Sequence, residues 1–130
     1  MAVNKTSLSA GAIIRAVLID DAEVASRVKK IYPIVVPNAE LPYIVYRRAE
    51  LTANPQKAGA PGGDTIQIEV MCYTAKYTEG VELAEAVRGA LDFTTATAEG
   101  QTMRSCYLSG SEEGYQDDAF IQQLIFNVKI

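Results

Sequence analysis

The chain has 130 residues, 48% of them apolar, and carries twelve basic against sixteen acidic side chains for a net charge of −4. That length fits one domain with one core spanning 1–130, and acidity argues against binding nucleic acid through its phosphates. No apolar run approaches the roughly 20 residues of a membrane-spanning helix, the N-terminus lacks a basic-then-apolar leader, and a cytoplasmic protein is expected. The absence of histidine removes the commonest metal ligand and general base together, so a His-dependent triad is excluded.

In chain order, Ser7 to Asp20 places Leu8, Ala12, Ile13, Ala16 and Val17 on one helical stripe, with Ser7 or Ser9 as the cap. Asp20 and Asp21 interrupt it, and a short second turn is expected over Ala22 to Val28. Pro33, Pro37 and Pro42 confine the next stretch to strand edges and turns, and the first real strand is expected at Tyr43 to Leu51. Thr52 to Gly63 holds prolines and glycines but no large apolar residue, which predicts a long, mobile loop with Gly62 and Gly63 as a hinge.

From Asp64 to Asp92 the period changes from two to three and four. Ile66, Ile68, Val70 and Cys72 share one face of a strand, opposite Gln67, Glu69, Met71 and Tyr73. Val81, Leu83, Ala84, Val87, Ala90 and Leu91 then form the stripe of a helix capped by Thr78, with Glu79, Glu82 and Glu85 near its positive end. Thr94 to Gln101 reads as a polar linker. Thr102 to Leu108 and Ala119 to Ile130 read as an antiparallel pair around an acidic bend, Ser109 to Asp118, turned at Gly110 and Gly114. In the last strand Ile121 and Ile125 fall on a half-polar face, opposite Phe120, Leu124, Phe126, Val128 and Ile130, and that face is a candidate subunit contact. The pattern predicts an α+β fold: a largely antiparallel β-sheet with two main helices packed on one face.

Chemistry-bearing constellations are sparse. Cys72 and Cys106 sit in strand-like segments and are expected to be buried thiols. Asp20/Asp21, Glu112/Glu113 and Asp117/Asp118 occupy predicted turns, where solvated caps outnumber general acids, and the acidic segment lacks calcium-loop spacing. Gly62-Gly63 precedes a strand and is followed by no P-loop lysine. Arg47 and Arg48, near Tyr43 and Tyr46, fit a salt-bridged strand face or a subunit contact better than base stacking, given the overall acidity. No catalytic, cofactor or metal residue is expected, and the chain is read as a non-enzyme.

The ordered pieces, Ile31 to Pro33, Leu41 to Tyr46, and the strand-to-helix step around Cys72, Tyr73, Tyr77 and Ala84 to Leu91, together resemble the tail completion (tail terminator, tail-to-head joining) family of bacteriophages and prophages. The resemblance implies a structural protein that caps the tail tube and joins the tail to the head connector as a ring, often of six copies. Its partners would be itself, the tail tube protein and head connector proteins, with no cofactor, no membrane and no sequence-specific nucleic acid. Its place would be the virion tail, after assembly in the host cytoplasm. By position, Thr52 to Gly63 and Ser109 to Asp118 become candidate contact segments, with Arg47, Arg48, Pro55, Lys57, Glu112, Glu113, Tyr115, Ile121 and Ile125 as candidate subunit or partner contacts. Charge reversal at Glu112 and Glu113 is expected to impair joining to a partner ring without harming the fold. The competing reading is a small cytoplasmic binding or adaptor module whose Thr52 to Gly63 loop folds over a peptide or ligand.

Overall fold

The computed structural model describes residues 5–34, 38–54 and 63–130. A 3-10 turn, Ser7–Ser9, leads into α1 (Ala10–Asp20) and the short α2 (Ala22–Ala25). Strands β1 (Lys30–Pro33), β2 (Tyr43–Thr52) and β3 (Thr65–Thr74) precede α3 (Tyr77–Leu91). A small hairpin, β4 (Ala96–Ala98) and β5 (Gln101–Met103), is followed by the long ribbon β6 (Ser105–Gln116) and β7 (Ala119–Lys129).

The main sheet has the order β1-β2-β3-β7-β6, antiparallel except for the parallel β1–β2 pair. The α+β class and the helix-bearing face match the sequence reading. Ile66, Ile68, Val70 and Cys72 of β3 and Leu124, Phe126 and Val128 of β7 are buried against Ile13, Ile14 and Leu18 of α1 and Leu83, Val87 and Leu91 of α3. Each such side chain contributes about 1.5–3 kcal/mol when fully removed from water. Val81 and Ala84, placed on the α3 stripe by period alone, are only half-buried at its margin.

Several boundaries differ from expectation, each for a local reason. Neither Ser7 nor Ser9 caps α1: Thr6 Oγ1 accepts from Leu8 N–H, Ser9 makes no capping bond, and the Ser7 hydroxyl donates instead to the Asp64 carboxylate. Asp21 caps α2 through Val24 N–H at 3.0 Å, so the helical break falls where expected although α2 is shorter than Ala22 to Val28. Thr78 is not the cap of α3. The helix starts at Tyr77 after an extended Lys76, whose carbonyl accepts from Gly80 N–H at 3.1 Å.

The Thr94 to Gln101 stretch is not a linker but part of a hairpin, turned by Glu99 and Gly100 with φ of 54° and 74°. Such paired positive φ values match the right-handed twist of two-residue hairpins. The Ser109 to Asp118 segment is not a loop either. β6 continues through it after a register shift at Ser109, Gly110 and Gly114 pair with Ile125 and Ile121, and the chain reverses at Asp117 and Asp118, with φ of 52° and 61°. Aspartate tolerates this left-handed region because its short polar side chain bonds locally; Asp118 Oδ1 accepts from the Tyr115 hydroxyl at 3.3 Å.

Gly63 is a packing constraint rather than a hinge, since a Cβ there would lie 1.6 Å from the Ile130 carbonyl oxygen. Gly62 lies outside the described residues. Gly89, on the exposed side of α3, has nothing among the described residues within 4 Å of a Cβ. In urea unfolding, Gly63→Ala should lose about 2 kcal/mol or more through overpacking against backbone, whereas Gly89→Ala should gain about 0.5–1 kcal/mol by restricting the unfolded chain. A neutral Gly63→Ala would refute the close approach.

Candidate functional site

The face of the sheet away from the helices is built by the other half of each strand period. One row of paired residues crosses all five strands: Lys30 on β1, Tyr43 on β2, Tyr73 on β3, Ile121 on β7 and Gly114 on β6. Tyr43 stacks on Tyr73 with ring centroids 4.7 Å apart and meets Tyr32 edge-on at 6.1 Å. Val45, paired with Tyr32 and Met71, is only 3% exposed although it lies on this face. Burial raises the Tyr43 and Tyr73 phenols above their ordinary range, and for Tyr43 the neighbouring Tyr73 and Asp117 add to the effect. A second row places Arg47, Glu69, Ile125 and Gly110 side by side.

Arg47 grips Glu69 in a two-pronged ion pair at 3.0 and 3.2 Å, and Gln123 Nε2 donates to the same carboxylate at 3.1 Å. The salt-bridged reading of Arg47 is therefore correct. Arg48 points to the helix side, where its guanidinium donates to the Leu8 carbonyl at 3.1 Å and ties down the N-terminal turn. Alternation along β2 separates the two arginines.

The expected contact residues thus fall into three groups. Arg47, Ile121, Ile125 and Glu112 share the open face. Glu113 and Tyr115 lie on the opposite side of β6: Glu113 accepts from Gln122 Nε2 at 2.8 Å and from the Tyr77 hydroxyl at 3.0 Å, while Tyr115 meets the Phe120 ring at 4.8 Å. These bonds hold the Glu113 carboxyl below its usual range. Pro55 and Lys57 lie outside the described residues.

Sequence reasoning passed over two polar clamps. Asp64 accepts from the Ser7 hydroxyl and from Asn54 N–H at 2.9 Å, joining the ends of β2 and β3 to the first helical turn. Asp92 closes α3, paired with Arg88 at 3.1 Å and accepting from Leu108 N–H at 2.9 Å. The available signal was the position of each aspartate at a change of period, at the start of the strand and the end of the helix. The aromatic row was also missed, although Tyr73 stood on the outward face of a clear alternation.

Burial pushes the Cys72 thiol far up and the Cys106 thiol up to about 12, so neither is a thiolate at neutral pH. Among the described residues no group of three His, Cys, Asp or Glu side chains is placed to hold a metal ion, and no helix is long and apolar enough to cross a membrane.

A family model described as "Tail completion protein gp17" matches residues 12–130. The chain belongs to this family. A chain of the virion of a native gene transfer agent particle shares its fold, with a TM-score of 0.80 at 18% identity, over 96% of this chain and 98% of that one. No curated protein matches. Membership in the tail completion family makes this a structural, virion-associated tail protein, in keeping with a surface of stacked rings and satisfied ion pairs.

The Asp64 clamp carries a pH signature. Bonds from Ser7 and Asn54 lower its carboxyl below the ordinary value, so its contribution is complete above the unfolded pKa near 3.9 and is lost as pH falls through the folded one. Across a denaturation series from pH 7 to pH 2, Asp64→Asn should be less stable than wild type at pH 7 and lose less stability below about pH 4. Parallel curves would show that the clamp contributes nothing.

Proposed function

We propose that the protein acts as a ring-forming cap on the tail tube that presents a joining surface to the head connector. Family membership over residues 12–130 is the observation that carries this reading, and the geometry supports it. The β2–β3 connection leaves the sheet at Thr52 and Thr65, whereas the β6–β7 turn lies at the far end, beyond the pair Thr74 and Phe120. Along the ten residues of β3 these ends stand roughly 33 Å apart at the usual strand rise. A subunit this long can meet axial partners above and below, while its two sheet edges, the β6–β7 hairpin included, are left for neighbours in the ring.

A ring of identical chains needs heterologous contacts that close by rotation, and the open face and edges have the composition for it. The partners in this reading are further copies of the chain, the tail tube protein and head connector proteins, met in the host cytoplasm during assembly. The protein performs no catalysis in this role.

Light scattering over a wide concentration range should find a species several times the 14.1 kDa chain mass, with six copies as the expected closed form. The same material should co-sediment with purified tail tubes in an amount set by the number of tube ends rather than by tube length. Binding along the whole tube, or none to tubes at all, would overturn the capping role.

A further inference from the structure

We propose that the groove beside β1 receives the acidic β6–β7 hairpin of a second copy of this chain, so that opposite edges of the sheet pair head to tail. This rests on the ring reading above and names its contact.

The groove, ≈ 360 Å³, lies between α1, the α2–β1 turn and β1, and combines Arg15, Lys29 and Lys30 with the apolar Ile19 and Tyr32. Ile19 is 44% exposed. Lys29 is paired with the exposed Glu40 at 2.8 Å, but Arg15 and Lys30 have no carboxylate partner within salt-bridge distance among the described residues. The site is a cationic rim around an apolar floor.

The opposite edge has the matching chemistry. Glu112, Glu113, Asp117 and Asp118 are all exposed along the distal half of β6 and its turn, with Tyr115 among them at 60% exposure. Glu113 is held in place by Gln122 and Tyr77, so part of this charge is fixed in position. β6 is the last strand of the sheet, and among the described residues no strand pairs with its outer edge.

Two geometric facts favour a second copy as the occupant. The edges are four inter-strand steps apart, roughly 19 Å at the usual spacing. At that separation none of the hairpin carboxylates is ion-paired to Arg15 or Lys30 of the same chain among the described residues, so their direct contact needs another copy. Lys30 and Gly114 also belong to the same transverse row. A copy displaced sideways in the plane of the sheet therefore brings Lys30 level with Gly114 and beside Glu112 on the open face, and sets Glu113 and Tyr115 on the helix side toward Arg15 and Ile19, with no slip along the strands. Tyr115 is the anchor for the apolar floor, and the carboxylates select and orient the approach. The contact is heterologous and repeats from copy to copy.

The test uses two full-length variants. Glu112→Lys, Gln116→Lys, Asp117→Asn and Asp118→Asn together reverse the hairpin, with asparagine retained where φ is positive. Arg15→Glu and Lys30→Glu together reverse the groove. All six positions are exposed, and circular dichroism and melting temperature should match wild type. In light scattering, each variant alone should lose at least about tenfold in association constant, as like charges then face each other. An equimolar mixture should recover the wild-type mass, because each reversed hairpin meets a reversed groove and each native hairpin a native groove. If wild type assembles while either variant alone does so equally well, or the mixture fails to recover, this contact is wrong and the ring reading stands. A wild type that stays monomeric at every concentration and on tube ends overturns the ring reading and the contact together.

Discussion

Everything else in the molecule is arranged around the apolar face shared by β3 and β7. Ile66, Ile68, Val70 and Cys72 lie opposite Val128, Phe126, Leu124 and Gln122 in continuous antiparallel register, and α1 and α3 cover them. A one-residue slip of β7 would carry Phe126, Leu124 and Val128 to the outer face, so register and helix packing enforce each other. With the centre of the sheet fixed in this way, the outer strands can diverge in character: β1 is short, parallel and basic, whereas β6 is long, antiparallel and acidic at its far end. Two edges of opposite sign follow from the chain order, without further machinery.

Polar groups then fix what the core leaves loose. Thr6, Asp21, Asp64 and Asp92 each stand where one element gives way to another, and each accepts backbone N–H or hydroxyl protons that would otherwise go unpaired. Arg48 on the Leu8 carbonyl serves the same purpose from the cationic side. The outer face needs no covering helix to be ordered, since stacked tyrosines and the Arg47–Glu69–Gln123 cluster occupy it.

The sequence was most readable where one period ran long enough to dominate. The β3 alternation and the α3 stripe gave the fold class and the buried face, because a period of ten residues or more averages out local exceptions. It was least readable where a turn used an uncommon residue. Asp117-Asp118 turns the hairpin without glycine, while Gly110 and Gly114 lie within the strand, so reading glycine as punctuation misplaced the bend and hid the strand edge. The short strands β1 and β4 were missed, and β5 was merged with the start of β6 in the expected strand Thr102 to Leu108, because three or four residues carry too little period to detect. Of the candidate contact residues, only the placement of Arg47, Ile121 and Ile125 on the outer face was legible from alternation alone. The groove around Arg15 and Lys30 was not, since it joins residues from separate elements that no spacing rule connects.

The two cysteines carry a consequence for durability. Oxidants, disulfide partners and electrophiles act on the thiolate, and both sulfur atoms lie in the sealed layer between sheet and helices, with their protons held well above neutral pH. Thiols held this way stay unreactive whether the surroundings are reducing or oxidising.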